Sequence, residues 1–383
     1  MKLWLVVLAL FVVTGAWAGP QGQPGDVKAH LDRGTALLEK GDLDGAIAEY
    51  RAAIRLKPDC AEAHNNLGSM LGLKGDLDSA ITEFRLAIRL KPDYANAHYG
   101  LGLALADKGD LDGAITEYRG VIRLKPDYAE AHAALGFTLG RDKGDLDGAI
   151  AEYRAAIRLK PDFAEGHYNL GNTLYGKGDH DGAIAEYREA VRLKPDFADP
   201  HVSLGLALYG KGDHDGAIAE YREAIRLKPD FAEAHNDLGL ALYAKGDLDG
   251  AIAEYREAIR LKPDFADAHA GLTLPLYDKR DLDGEIAEFR EVTRLKPDDA
   301  DAHFILGLAL SVKSDLDGAI AEYREAIRLK PDNTAAHYDL GAVLEAKGER
   351  QAALEEYRKA CELDPKNDVM RGDYERLAKE LKK

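Results

Sequence analysis

Cysteine is nearly absent from this sequence, which contains only Cys60 and Cys361 among 383 residues. A disulfide requires two α-carbons within about 7 Å of each other, and these residues stand near opposite ends of a repetitive chain. We therefore expect both thiols to be free and mostly buried, which excludes a disulfide-stabilised scaffold. Export to an oxidising compartment is compatible with this pattern but does not follow from it.

Motifs of enzyme chemistry are missing as well. No GxSxG, P-loop, HExxH, CxxC or dinucleotide-binding pattern occurs, and no non-repeated segment is long enough to house a catalytic domain. No stretch alternates polar and apolar residues with the period of a strand. The sequence therefore predicts an all-α, non-catalytic protein with no cofactor and no bound metal.

A surplus of basic residues is lacking too. Lys and Arg number 51 against 68 Asp and Glu, which gives a formal net charge of -17. Because nucleic-acid binding needs a clustered basic surface that contacts phosphates, a nucleic-acid partner is disfavoured.

Long apolar runs are limited to one, at the N-terminus. Lys2 precedes the run LWLVVLALFVVTGAWA, which ends in the small-residue pattern Ala16-Trp17-Ala18. This order predicts a secretory signal peptide over residues 1–18, followed by a short linker at residues 19–24. The alternative is an uncleaved membrane anchor, although the run is shorter than the roughly 20 residues that span a bilayer. We expect a periplasmic or extracellular chain without stable membrane insertion after cleavage.

What the sequence does contain is a 34-residue repeat. A Lys-Pro-Asp triplet or a close relative recurs at intervals of 34 residues, with one interval of 35. Its prolines are Pro58, Pro92, Pro126, Pro161, Pro195, Pro229, Pro263, Pro297, Pro331 and Pro365. The extra residue falls near Arg141 and Asp142, and we interpret it as an insertion in a loop. A fixed period of this length indicates a stacked array of supersecondary units.

Repeat seven shows how one unit is expected to fold. Apolar residues at three-and-four spacing predict helix A from about Phe231 to Lys245 and helix B from about Asp249 to Lys262. Each unit is therefore a hairpin of helices that cannot bury both of its apolar faces alone, and stacking the units buries a continuous core.

Residues at the helix ends support these boundaries. Gly246 is expected to end helix A in the left-handed conformation, and Asp247 to cap helix B. Pro263 ends helix B because it has no amide hydrogen. Asp264 and Asp267 together predict a start resembling a capping box for the next helix A.

The small and apolar positions of repeat seven carry a family resemblance. They are Leu238, Gly239, Leu242, Ala251, Tyr255, Ala258 and Pro263. This spacing resembles the tetratricopeptide repeat signature, and ten such units cover residues 25–365. The resemblance implies an α-solenoid superhelix with helix B outside, and a scaffold that binds partners without chemistry. Residues 366–383, with Leu377 at their centre, are expected to form a capping helix, and Arg33 makes the first repeat more polar.

One departure from the family pattern is a histidine where tryptophan is frequent. The recurrent residues are His30, His64, His98, His132, His167, His201, His235, His269, His303 and His337. Equivalent residues in stacked repeats lie too far apart to share a zinc ion at about 2.0–2.1 Å, so we interpret them as packing residues. Because histidine titrates near pH 6.5, we hypothesise that acid changes solubility or stacking.

Acidic turns are a second recurrent feature. Sequences such as GDLDG, and GDHDG with His180 and His214, resemble calcium loops only in part. They lack the third acidic position and the downstream bidentate glutamate. The more economical interpretation is helix capping.

The remaining face of helix A is the predicted binding surface. Its aromatic residues are Tyr99, Tyr168, Phe304 and Tyr338 at one position and Tyr175, Tyr209, Tyr243 and Tyr277 at another, with Asn65, Asn172 and Asn236 interspersed. Because tyrosine combines apolar area with a hydrogen-bonding tip, we predict that this concave groove binds a protein or peptide. The alternative is that these tyrosines pack between repeats. Lys and Arg are nearly absent from this face, so the carboxylate clamp of some relatives is not expected.

Repeat eight departs from the pattern at several positions. Thr273 replaces a glycine, Pro275 enters helix A, Arg280 replaces the turn glycine, and Glu285 occupies a small-residue position. An interior proline costs about 3 kcal/mol or more, and a buried carboxylate is costly unless paired. We predict a soft joint here, with Arg280 as the partner of Glu285. Tolerated drift in one unit is the alternative.

Two other functions remain open at this level. The acidic turns and the basic Arg-Leu-Lys ends of helix B have opposite charges, which allows salt-sensitive self-association into a structural element. An accessory subunit of an envelope glycosylation or assembly complex is possible only by analogy of fold.

Overall fold

The computed structural model describes residues 26–382, so the predicted signal peptide and linker lie outside the described residues. Within that range the chain forms 21 α-helices and one π-helix and contains no strand. Residues 26–195 belong to one compact unit and residues 196–382 to another. Each unit is an all-α solenoid of stacked helical hairpins, as the sequence predicts.

The first unit contains repeats one to five. Its helices are α1 (Val27–Glu39), α2 (Leu43–Leu56), α3 (Ala61–Leu73), α4 (Leu77–Leu90), α5 (Ala95–Lys108), α6 (Leu111–Leu124), α7 (Ala129–Phe137), α8 (Leu146–Leu159), α9 (Ala164–Gly176) and α10 (His180–Leu193). Odd-numbered helices are helix A of a repeat, and even-numbered helices are helix B.

The second unit contains repeats six to ten and a final helix. Its helices are α11 (Ala198–Gly210), α12 (His214–Leu227), α13 (Ala232–Ala244), α14 (Leu248–Leu261), α15 (Ala266–Asp278), α16 (Leu282–Leu295), α17 (Ala300–Val312), α18 (Leu316–Leu329), α19 (Thr334–Lys347), α20 (Arg350–Leu363) and α21 (Asp368–Glu380). Within 26–382, none of the helices is long and apolar enough to cross a membrane.

The turn chemistry of repeat seven is partly as predicted. Gly246 ends helix A with φ of 82°, and the Asp247 carboxylate accepts a hydrogen bond from the Gly250 amide at 2.9 Å. The predicted capping box at Asp264 and Asp267 is wrong. The next helix begins after Phe265, whose side chain cannot accept a hydrogen bond, and the preceding turn is closed by main-chain bonds instead.

Packing within a repeat depends on a glycine of helix A that faces a tyrosine of helix B. A Cβ atom added at Gly205 would lie 2.6 Å from the Tyr221 ring, and one added at Gly239 would lie 3.1 Å from the Tyr255 ring. Both tyrosines are almost fully buried. The small residue therefore sets how closely the two helices approach.

The 35-residue repeat corrects one prediction. Helix α7 continues beyond Phe137 as a π-helix over Thr138–Asp142, so the extra residue lies in the end of helix A and not in a loop. A π-helical turn closes over one residue more than an α-helical turn. The insertion is thereby absorbed before Asp145, which still accepts the capping hydrogen bond from the Gly148 amide at 2.9 Å.

Repeat eight keeps the hairpin despite its substitutions. Pro275 is buried inside α15, and Arg280 adopts the left-handed conformation of the glycine that it replaces, with φ of 60°. Glu285 is 8 % exposed, and burial raises the pKa of its carboxyl group. The predicted ion pair is wrong: the Arg280 side chain is exposed to solvent, and among residues 26–382 no basic group pairs with Glu285.

The last helix covers one end of the second unit. Leu377 of α21 is fully buried in a cluster that includes Leu344 and Tyr357, with Tyr374 partly buried beside it. The outer side of α21 is mostly polar, although Val369 is 66 % exposed, and Leu381 beyond the helix is also exposed. This arrangement fits the capping role expected for the C-terminal segment.

Candidate functional site

The first aromatic position of helix A packs inward against helix B of the same repeat. Ring centroids are 6.1 Å apart for Tyr168 and Tyr187, 5.9 Å for Phe304 and Tyr323, and 5.5 Å for Tyr338 and Tyr357. The first residue of each pair is half-buried. At this position the structure therefore supports the packing alternative, and only the outer edge of each ring is accessible.

Tyr99, at the same position in repeat three, requires a correction. It is 5 % exposed, and its ring lies 6.0 Å from that of Tyr118 and 5.2 Å from that of Tyr128. Burial raises the pKa of its phenol well above the ordinary value. A partner cannot reach this side chain, so Tyr99 does not belong to a binding surface.

The second aromatic position is more accessible. Tyr175 and Tyr209 are half-buried, each beside a histidine ring of the following helix. The Tyr243 hydroxyl donates a hydrogen bond to Asp278 at 2.9 Å, which raises the pKa of the phenol. Tyr277 is 66 % exposed and has its aromatic face in solvent.

The polar residues predicted for this face are also distributed unevenly. Asn172 is exposed and accepts a hydrogen bond from the Tyr187 hydroxyl at 2.8 Å. Asn236 is half-buried and donates to Asp237 at 3.0 Å. Burial raises the pKa of Asp237 to about 6. Asn65 is buried, so it is not available to a partner.

Sequence reasoning missed a row of exposed apolar side chains in the second unit. Four leucines occupy one position of helix A in repeats six to nine, and we call them the leucine row: Leu206, Leu240, Leu274 and Leu308, exposed by 43, 38, 52 and 36 %. Tyr277, Ile305 and Val312 extend the apolar surface on the same helices. The 34-residue spacing of these leucines was visible in the sequence, but their exposure was not.

The leucine row lies on successive A helices, of which α15 and α17 are joined through α16. Helix α11 packs against α13, and α13 packs against α15. Large exposed apolar patches are uncommon on monomeric proteins and mark interaction sites. The face of α11, α13, α15 and α17 that bears this row is therefore the candidate functional site, and we call it the helix-A face of the second unit.

The exposed charged side chains that belong to these four helices have one sign. Helices α11, α13, α15 and α17 contain six acidic residues and no lysine or arginine. Four of the acidic residues lie seven positions before the leucines, on the same side of each helix, and we call them the carboxylate row: Asp199, Glu233, Asp267 and Asp301. All four are exposed. Lysines of the neighbouring helix B ends approach two of them, with Lys262 at 3.4 Å from Glu233 and Lys296 at 2.8 Å from Asp267.

The recurrent histidines have a partner that the sequence analysis did not identify. In every repeat, histidine Nδ1 lies 2.5–2.6 Å from a glutamate Oε2 of helix B. In seven repeats, Nε2 also lies 3.0–3.4 Å from the carbonyl oxygen of the preceding proline. These pairs join helix A to helix B, so the histidines are structural residues, as predicted.

The acidic turns, one of the two edges that suggested self-association, are paired with lysines of the same chain. The second aspartate of a turn binds the lysine at the end of the next helix A, as in Lys74 with Asp44 at 2.5 Å and Lys347 with Asp317 at 2.7 Å. The first aspartate caps helix B, as predicted. No described set of three His, Cys, Asp or Glu side chains is arranged to hold a metal ion, and both cysteines are free and half-buried.

Family models match most of the described chain. A model for the Cilia and flagella-associated protein 70 C-terminal domain matches residues 130–381. A tetratricopeptide repeat model matches residues 31–95, and a TPR repeat model matches residues 102–142. No curated protein matches the chain.

Several solved structures are similar to parts of the chain. MamA is 32% identical over 43% of this chain and 95% of its own, with a TM-score of 0.41. YrrB, described as a TPR protein with an unusual peptide-binding site, is 22% identical over 51% and 97%, with a TM-score of 0.42. A tetratricopeptide repeat protein from Parabacteroides merdae ATCC 43184 is 15% identical over 65% and 98%, with a TM-score of 0.49.

Proposed function

This chain belongs to the tetratricopeptide repeat family, and from that premise we propose that it is a non-catalytic scaffold whose helix-A face in the second unit binds a segment of another protein. The observation that carries the proposal is the leucine row, four side chains at one repeat position that stay 36–52 % exposed. A peptide laid across these helices removes apolar surface from water at every repeat that it crosses.

The size of this apolar contribution can be estimated. Full burial of a leucine side chain stabilises by about 1.5–3 kcal/mol. Because roughly two-fifths of each side chain is still exposed, covering one contributes about 1 kcal/mol and covering all four about 4 kcal/mol. This contribution suits a reversible scaffold, since ordering of the peptide opposes it.

Two substitutions remove the centre of the row. Leu240→Asn with Leu274→Asn places a polar residue where repeat five already has Asn172, so the helices are expected to keep their packing. The matched control is Leu124→Asn with Leu159→Asn, two leucines exposed by 45 and 43 % at the ends of helices B in the first unit. Circular dichroism verifies that each variant is folded.

The test begins with selection of binding peptides from a random display library against the chain from residue 19 onward. Each selected peptide is then titrated against the parent chain and both variants by fluorescence anisotropy. We expect binding to the face variant to weaken by about tenfold or more, since about 1.4 kcal/mol corresponds to tenfold, and binding to the control to change little. Absence of selected peptides, or equal binding to both variants, contradicts the proposal.

A further inference from the structure

We propose that the occupant of the helix-A face is a basic amphipathic helix of a protein partner, an inference that rests on the function proposed above. Two parallel rows define this face: the leucine row and the carboxylate row. Seven residues separate the rows along each helix, which corresponds to about 10 Å at 1.5 Å per residue and to nearly the same angular position. The partner must therefore present apolar and cationic side chains about 10 Å apart.

The width of the occupant follows from that separation. An α-helix with its side chains is about 10–12 Å across, so a helix lying across α11, α13, α15 and α17 can contact both rows at once. In an extended strand, adjacent side chains point to opposite faces, so only one line of side chains faces the protein. A single strand that lies along one row therefore leaves the other row uncovered. Helical structure of the partner is therefore favoured over an extended conformation.

The length of the occupant follows from the number of helices in the face. Packed helices lie about 8–10 Å apart, and α15 and α17 both pack against α16, so three steps along the row separate the first and last leucine by at least roughly 24–30 Å. At 1.5 Å per residue, a helix of about 16–20 residues spans this distance. Such a segment is long enough to form a stable helix once it is bound.

The charge of the occupant follows from the composition of the face. No lysine or arginine lies in the four helices, and the carboxylate row is exposed. Lys262 and Lys296 approach Glu233 and Asp267, whereas no described basic group forms an ion pair with Asp199 or Asp301. An ionised carboxylate accepts several hydrogen bonds, so all four members can receive cations from a partner. An acidic partner meets like charge along the whole row.

Three synthetic peptides of 18 residues test the inference by fluorescence anisotropy with the chain from residue 19 onward. The first has a leucine stripe flanked by lysines, and the second has glutamate in place of every lysine. The third has the first sequence with two central residues replaced by proline, which prevents a continuous helix. We expect the lysine peptide to bind at least tenfold more tightly than either of the others, and its affinity to fall with added salt.

Variants of the chain separate this inference from the proposed function. The row variant is Asp199→Asn, Glu233→Gln, Asp267→Asn and Asp301→Asn, and it is expected to reduce the preference for lysine over glutamate to less than threefold. The leucine variant Leu240→Asn with Leu274→Asn is expected to weaken binding of the lysine peptide by tenfold or more.

The possible outcomes are distinguishable. If the lysine and glutamate peptides bind the parent chain alike, and the leucine variant weakens both, the basic partner is wrong and the proposed function stands. If the proline-containing peptide binds as tightly as the lysine peptide, the helical occupant is wrong. If the leucine variant leaves every affinity unchanged, the proposed function itself fails, and binding of the lysine peptide is then only an electrostatic attraction to the chain.

Discussion

The histidine–glutamate pairs predict that stability falls as pH rises above neutrality. His98 donates from Nδ1 to Glu117 at 2.6 Å, and its Nε2 lies 3.0 Å from the Pro92 carbonyl oxygen. A carbonyl oxygen can only accept a hydrogen bond, and so can an ionised carboxylate. Both ring nitrogens are therefore satisfied only when both carry hydrogen, which makes the ring a cation.

The direction of the effect follows from the shifted pKa. The hydrogen bond to Glu117 raises the pKa of His98, against burial and the charge of Arg123, which lower it. In His167, the hydrogen bond to Glu186 raises the pKa in the same way. Because the folded pKa lies above the unfolded value of about 6.5, this stability is fully present below that value and is lost as pH rises through the folded pKa.

The magnitude can be worked out for these two pairs of the first unit. A hydrogen bond to a charged group contributes about 1.5–3 kcal/mol, and a neutral one about 0.5–1.5 kcal/mol. Replacing Glu117 and Glu186 by Gln keeps a neutral acceptor in place, so the cost is about 1 kcal/mol per pair and about 2 kcal/mol together. At roughly 2–4 °C per kcal/mol for a unit of this size, the midpoint at pH 6 falls by about 4–8 °C.

Thermal unfolding followed by circular dichroism at pH 6, 7, 8 and 9 measures the effect. The parent midpoint is expected to fall across this range, and that of the Glu117→Gln, Glu186→Gln variant to fall less. The control is Asp147→Asn, which removes the exposed pair with Lys177 and leaves every histidine–glutamate pair in place. The midpoint of this control is expected to change with pH by the same amount as the midpoint of the parent. A parent midpoint that does not change from pH 6 to 9, or a double variant with the full pH dependence, refutes the reasoning.

Three further substitutions and one mass measurement test other parts of the chain. Pro275→Ala restores the residue present in repeats six, seven and nine. It should stabilise the second unit by up to about 3 kcal/mol and slow hydrogen exchange across residues 264–296. In the parent, exchange in this segment is expected to be faster than in repeat seven. Equal exchange in the two segments of the parent would contradict the soft joint. Glu285→Ala removes a buried carboxylate with a raised pKa. Chemical denaturation should therefore show that the free energy of unfolding rises by about 1–3 kcal/mol at pH 7 and by less at pH 4, where the parent carboxyl group is more protonated. An equal rise at both pH values would contradict a destabilising ionised Glu285. Gly205→Ala introduces a Cβ 2.6 Å from the Tyr221 ring and should cost about 1–3 kcal/mol in the same assay, unless the ring moves aside at no cost. We also propose that the chain is exported and cleaved after Ala18, so intact mass spectrometry of the secreted form should begin at Gly19, and retention of residues 1–18 would favour an anchor.

Much of the fold followed from local chemistry that a sequence displays directly. The position of Gly246 predicted a left-handed helix end, and Asp247 predicted the cap of helix B, because each acts on backbone groups within four residues of itself. The predicted ends of helices A and B in repeat seven agree with α13 and α14 to within one residue. The capping box at Asp264 failed because the residue before the helix is Phe265, and main-chain bonds close that turn.

The candidate site was predictable only in outline. Tyr277 is exposed as expected, yet Tyr99 is buried between two other tyrosines of the first unit. Leu240 has the same residue type as the buried Leu238, and only the polar residue at its position in repeat five, Asn172, indicates that part of it remains in solvent. Exposure depends on how far neighbouring hairpins cover one another, which is a property of the stack.

The sequence by itself determined that this chain is an array of helical hairpins, since hydrophobic period, turn glycines and capping aspartates act over a few residues and recur every 34. Only the tertiary structure decided which side chains meet across hairpins and which remain free. It placed each recurrent histidine beside a glutamate about 19 residues away, absorbed the extra residue of repeat four in a π-helix, and left one row of leucines uncovered. These outcomes depend on the angle and spacing of packed helices, which the period of the sequence alone does not give.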